Sequence, residues 1–349
     1  MDLVVRPADL TDDCEQIVAL QRQYLSPRAD LTRFHWLYQR NPFGQPQVWV
    51  TEESTTGAII GVAAAFPRSL YIGSQKKVGW VLGDFCISEE YRSLGPAIQL
   101  QKACLDGLGV RGEVIWYDFP STHMLAIYRR LKVSQSKQMI RFVKPLKVDR
   151  KMRAVVKSTL LQRSLSPLGN LALRIRDRRV ASSPGLTIQQ HTGDCGAEFT
   201  ELADAIGGAH GHCLERTAAY LNWRYRQNPF ERCIVITARR EGNLKGYAVF
   251  TETETEEDVR ILDVFGVEER DVMISLLEHI VERGRSGRSE TVVVSIAEDH
   301  PWIPFLQSVG FKPREASPII IAGLPVDSEH KTNDNQQRSL LLMQGDRDS

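Results

Sequence analysis

The sequence predicts an α/β protein built from two copies of one unit, each a mixed, mostly antiparallel sheet flanked by helices. Three observations carry this reading. The stretch His35-Trp36-Leu37-Tyr38-Gln39-Arg40-Asn41-Pro42-Phe43 returns as Asn222-Trp223-Arg224-Tyr225-Arg226-Gln227-Asn228-Pro229-Phe230, sharing Trp-x-Tyr-x-x-Asn-Pro-Phe. A repeat this specific marks a duplicated unit. β-rich runs follow each copy: Gln47 to Val50 and Ile59 to Phe66 after the first, Cys233 to Thr237 and Gly246 to Phe250 after the second. Then Gly83-Asp84-Phe85 and Leu262-Asp263-Val264 each lead into a helical stretch. The order helix, antiparallel-looking strands, strand, helix, strand, helix is thus read twice, the alternation of an α/β fold.

A length of 349 residues also favours two domains over one. The expected division is 1–145, a basic helical linker at 146–185, and 186–349 with a C-terminal strand. The chain is 42% hydrophobic and 25% charged, the composition of an ordinary soluble globular protein. Its net charge of +1 makes no global case for nucleic acid or membrane. Met1-Asp2-Leu3-Val4-Val5-Arg6 lacks a signal-peptide pattern, and no apolar run approaches the roughly 20 residues of a spanning helix. Six scattered cysteines form no C-x-x-C and no metal spacing, so no metal is expected and a cytoplasmic, reducing location fits. Cys86 and Cys104 fall on apolar faces as small core residues.

In the first copy, Trp36 and Tyr38 are repeated by Trp223 and Tyr225, which favours core or inter-half packing over a ligand stack. Asn-Pro-Phe ends the helix, because the residue before proline is pushed out of helical geometry. The run Val81 to Ile87 suits a buried strand and breaks at Ser88-Glu89-Glu90. Ile98, Leu100, Ala103, Cys104, Leu105 and Leu108 then repeat with helical period. The join is Arg92-Ser93-Leu94-Gly95-Pro96-Ala97. Its glycine lets backbone approach a ligand, its proline suits a first helical turn, and free N–H groups at a helix start attract anions. Next come a strand, Glu113 to Tyr117, an exit loop from Asp118 to Ser121, and a helix from His123 to Leu131.

Arg92-x-x-Gly95-x-Ala97, with the strand upstream, resembles the acetyl-CoA loop of GCN5-related N-acetyltransferases, Gln/Arg-x-x-Gly-x-Gly/Ala. The resemblance implies two tandem acetyl-CoA N-acyltransferase-like domains and transfer of an acetyl group to an amine. Phe85, Cys86, Ile87 and the loop Arg92, Ser93, Leu94, Gly95, Pro96 and Ala97 are the implied cofactor contacts. Pro96 removes one N–H from that loop and stiffens it. The family's Tyr-x-x-Leu-Gly-Phe appears as Tyr128-Arg129-Arg130-Leu131-Lys132-Val133, with Lys132 in place of glycine. In the second half, Leu306-Gln307-Ser308-Val309-Gly310-Phe311 keeps Gly-Phe but has Leu306 for the tyrosine. The resemblance makes Tyr128 the acid for the departing thiolate; the alternative is an aromatic core residue. For the base, Asp84 and Asp118 are the two candidates, with His123 and Glu90 poorer ones.

The second half departs further. Its equivalent loop lacks the glycine element and carries Glu268, Glu269 and Asp271, which oppose a pyrophosphate. It is read as a degenerate copy, so acetyl-CoA is expected in the first half only. Between the halves, Lys144 to Arg179 holds eleven Lys or Arg against Asp149 and Asp177. Either it packs along both domains, or it contacts an anionic membrane surface or acidic polymer. The tail from Asp327 to Arg338 is polar. The run from Ser339 to Met343 should pair as a strand beside Pro318-Ile319-Ile320-Ile321-Ala322. Three function classes remain in view. One is an N-acyltransferase acting on a small-molecule or saccharide amine such as an amino sugar or cell-surface polysaccharide precursor. The others are a non-catalytic binding protein on the same fold and an aminoacyl-tRNA-dependent peptidoglycan-type transferase.

Overall fold

In the computed structural model the apolar runs around Ile60 and Leu82 become strands β3 (Ala58–Ile72) and β4 (Gln75–Ile87). The structure describes residues 2–73, 75–109, 114–147, 185–207, 212–252, 258–287, 289–324 and 340–348. The basic segment at 148–184 and the polar tail at 325–339, to which the linker and tail readings apply, lie outside the described residues.

The remaining early elements are β1 (Leu3–Pro7), α1 (Cys14–Tyr24), α2 (Leu31–Phe34), β2 (Gln47–Glu53), α3 (Leu94–Gly107), β5 (Ile115–Asp118), α4 (Thr122–Arg130) and β6 (Lys137–Pro145). The later ones begin with β7 (Leu186–His191), α5 (Ala197–Gly207), β8 (His212–Leu214), α6 (Ala218–Leu221), β9 (Cys233–Arg240) and β10 (Asn243–Thr251). They continue with β11 (Asp258–Gly266), α7 (Arg270–Ser286), β12 (Thr291–Ala297), α8 (Ile303–Ser308), β13 (Lys312–Ala322) and β14 (Leu340–Leu341).

One sheet runs through the molecule in the order β1-β2-β3-β4-β5-β13-β6-β12-β11-β10-β9-β7. From either end inward the pairing is antiparallel three times and then parallel, at β4–β5 and at β11–β12. The centre is exchanged. β6 pairs with β12, β13 pairs with β5, and β6 and β13 pair with each other. Two separate sheets were expected; the observed sheet is continuous, because each flank closes on a strand from the other half. This exchange leaves neither middle strand with an open edge, a surface that otherwise invites aggregation.

The repeated motif sits where the flanks meet. His35–Gln39 and Asn222–Arg226 each form one π-helical turn. Trp36 and Trp223 stack with centroids 5.4 Å apart, and each indole donates to the other's backbone carbonyl at 2.9 Å. The duplicated tryptophans therefore serve inter-half packing. Both Asn-Pro-Phe sequences turn in one way: the Asn41 and Asn228 side chains accept from Phe43 and Phe230 N–H at 3.1 and 2.9 Å.

The end of α4 shows what replacing the glycine costs. Lys132 has φ +57, while Gly310 at the matching place after α8 has φ +96. The left-handed turn is kept, and an L side chain there costs roughly 1–2 kcal/mol. The C-terminal run differs from expectation. Both edges of β13 are taken by β5 and β6, so β14 pairs in parallel with β8 instead, and β8 pairs with β3. Buried ion pairs fix the segment after β14: Asp346 with Arg216 at 3.0 Å, and Asp348 with Arg68.

Candidate active site

Parallel pairing of β4 with β5 ends at Val81 and Tyr117, yet β4 continues to Ile87. Beyond that point the strands part, and the starts of α3 and α4 face the gap. The result is a cavity of about 590 Å³. Asp84, Phe85, Cys86 and Ile87 line it from β4; Asp118 and His123 line it from the other side. Arg92, Ser93 and Ala97 line its end, whereas Leu94, Gly95 and Pro96 make the adjoining first turn of α3.

That end is built to meet an anion. Ser93 precedes α3 without a side-chain cap, so the first-turn N–H groups stay available. A Cβ at Gly95 would meet nothing within 4 Å, so the backbone there is open to approach. Arg92 is exposed, anchored through its Nε to the Ile87 carbonyl at 3.3 Å and lying over the Tyr24 ring. A cavity this size, with arginine and free donors at one end, fits a CoA ester.

The two aspartates differ. Asp84 sits at an irregularity where β4 carries an extra residue against β3, and its φ is +50. Its carboxylate receives both arms of Arg33 at 2.6 and 2.7 Å, the Tyr38 hydroxyl at 2.8 Å and Gln21 Nε2 at 3.2 Å. Four donors on one carboxylate tie α1, α2 and the motif turn to β4.

Asp118 is freer and better tuned. It is 8% exposed, and burial pushes its carboxyl up to about 6, partly offset by the Tyr128 hydroxyl, the Phe119 N–H and the Arg347 charge. Tyr128 is fully buried; its hydroxyl donates to Asp118 at 2.5 Å and accepts from Gln101 Nε2 at 3.3 Å. Burial and the Asp118 carboxylate hold the Tyr128 phenol well above its usual range. The phenol thus meets the cavity through Asp118, not directly. Burial also pushes the Cys86 thiol up to about 12, so it is no thiolate nucleophile at neutral pH. Glu90 lies on the turn Glu89–Tyr91 and is exposed.

The matching gap in the other flank is filled. Past Ile261 and Val294, where β11 and β12 part, the Trp302 indole donates to the Val264 carbonyl at 3.2 Å. The Met343 sulfur accepts from the Val264 N–H at 3.4 Å, and Met343 bridges to Ile296. The acidic residues at the start of α7 are not bare, since Arg240 pairs with both Glu269 and Asp271. Asp263 is ion-paired at 3.0 Å to Arg216.

Sequence reasoning missed Gln21, Arg33, Gln101 and Arg347. None carries a local signal in the sequence.

Solved structures share this fold. A GCN5-related N-acetyltransferase from Anabaena variabilis ATCC 29413 aligns with TM-score 0.65 at 16% identity, over 93% of this chain and 73% of that one. A probable N-acyltransferase of Enterococcus faecalis V583 aligns with TM-score 0.65 at 13% identity, covering 92% and 72%. Saccharomyces cerevisiae N-myristoyltransferase with bound myristoylCoA aligns with TM-score 0.54 at 9% identity, covering 93% and 83%. No protein-family model and no curated protein matches the chain. The fold is that of the GCN5-related N-acetyltransferases.

Proposed function

We propose that the protein is an acyl-CoA-dependent N-acyltransferase with one active site, in the gap between β4 and β5. The carrying observation is that this cavity joins an anion-receptive helix start to a buried carboxyl poised near neutrality. Arg92, Ser93 and the first turn of α3 would hold the pyrophosphate, with Phe85, Cys86 and Ile87 along the β4 wall. Bound acyl-CoA, with acetyl the proposed acyl group, supplies an activated carbonyl and a thiolate leaving group. Asp118 would take the proton of the attacking amine on its carboxylate and, once protonated, would pass it to the departing thiolate. Tyr128 and Gln101 orient it; Tyr128 acts through Asp118. Asp84 holds the wall through its bonds to Arg33, Tyr38 and Gln21. The second flank supports the fold and, with its gap filled, holds no second CoA.

Calorimetric titration with acetyl-CoA tests this. One CoA per chain is expected, and Gly95→Glu should remove it by placing a carboxylate in the open backbone approach. A stoichiometry of two, or full binding by that variant, places the cofactor elsewhere.

A further inference from the structure

A second pocket of about 250 Å³ lies beside the first, where the two π-helical turns meet the C-terminal segment. We infer that it anchors the acceptor by an acidic group, so that the acceptor is an amine also carrying a carboxylate or phosphate. This rests on the acyltransferase reading above.

Five arginines line the pocket, Arg28, Arg33, Arg224, Arg260 and Arg347, against two carboxylates, Glu231 and Asp348. Some of that charge is spoken for: Arg33 pairs with Asp84 and Arg260 with Glu231. Two cations are not. Arg28 is exposed and makes no ion pair among the described residues. Arg224 donates to backbone carbonyls of Gly345 and Arg347 and lies over the Trp36 ring. The carboxylate raising its pKa is Asp348, already paired to Arg68.

The pocket wall also holds polar atoms in want of partners. Tyr225 is 3% exposed and lines the pocket, and its hydroxyl has no hydrogen-bond partner. Asp348 Oδ1 likewise has none. Buried polar atoms without partners are uncommon, and each invites a ligand. Guanidinium groups and a phenol suit an oxyanion. An oxyanion held here, on the same molecule as the amine that the acyltransferase reading places at Asp118, describes an amino acid or an amino-sugar phosphate. The pocket is placed for this role, since Arg347 lines both volumes and the Arg33–Asp84 pair joins them.

The test is calorimetry on the full chain, with and without saturating CoA, using paired probes: glucosamine 6-phosphate against glucosamine, and glycine against glycinamide. At least one acidic probe should bind about tenfold or more tighter than its neutral partner, the scale of one charge-assisted contact. Which pair shows the preference separates phosphate from carboxylate. Arg28→Glu and Tyr225→Phe should each erode the preference severalfold, with CoA binding unchanged. Equal binding within both pairs, no binding of either acid at millimolar concentration, or a preference untouched by both variants overturns the inference. CoA binding is read in the same cell, so its loss would count against the acyltransferase reading alone, and the probes on free protein would still decide the pocket.

Discussion

Replacing Asp118 with Asn should separate the catalytic role of this residue from its structural one. The new side chain's carbonyl can still accept from Tyr128, so the local fold is retained while the titrating group is lost. In the parent, the carboxyl rises from its ordinary 3.8 to about 6 on folding, which corresponds to about 3 kcal/mol. The folded state thus binds this proton more tightly than the unfolded chain. Asp118 therefore makes stability fall as pH rises from about 4 to about 6, with no further change above. The Asp118→Asn variant has no such dependence, so it should gain on the parent by up to about 3 kcal/mol between pH 4 and pH 7.5. Activity should move oppositely. The parent's kcat/KM, followed by thiol release, should climb through pH 6 as the base ionises and then level. The variant should lose about 10²–10⁴-fold of that rate and its limb near pH 6. Urea denaturation at the two pH values and a pH–rate profile decide the matter. A variant that keeps the limb, or that loses stability relative to the parent as pH rises, would refute the assignment.

Three further outcomes are expected from the fold. Lys132→Gly should raise stability by about 0.5–1 kcal/mol, since relief of roughly 1–2 kcal/mol of left-handed strain outweighs the entropy glycine adds to the unfolded chain; an unchanged denaturation midpoint would contradict this. Trp36→Ala or Trp223→Ala should cost about 3–5 kcal/mol by opening a cavity and breaking the reciprocal indole bonds, a loss under about 1 kcal/mol being incompatible with the stack as the inter-half joint. A fragment ending at residue 147 should be aggregation-prone because β6 would lack both β12 and β13, and co-expression with residues 186–349 should rescue it; a cooperative, monomeric fragment would show that the exchanged strand is dispensable.

The α/β class, the duplicated motif, the β4-loop-α3 unit and the buried cysteines at 86 and 104 were all legible in the sequence. Each is a local property: a period of two or 3.6, a proline that stops a helix, a glycine at a turn. The β6–β13 exchange was not legible. An apolar strand such as Thr291–Ala297 declares that it is buried, and nothing in its residues says which strand will lie beside it. The partner of β14 was misjudged for the same reason, because the occupancy of β13's edges is a property of the whole sheet. The site divides likewise. Asp84 was visible as an acid within a strand and Asp118 as one at a strand end, but their surroundings were set by partners distant in sequence, Arg33 for one and the Tyr128–Gln101 pair for the other. In the second half, the acidic residues Glu269 and Asp271 were visible in the sequence, but their pairing with Arg240 was not, and the groups that fill the gap there, Trp302 and Met343, arrive from far downstream. Local geometry is written in neighbouring residues; charge pairing and the filling of space depend on which distant segments the fold brings together.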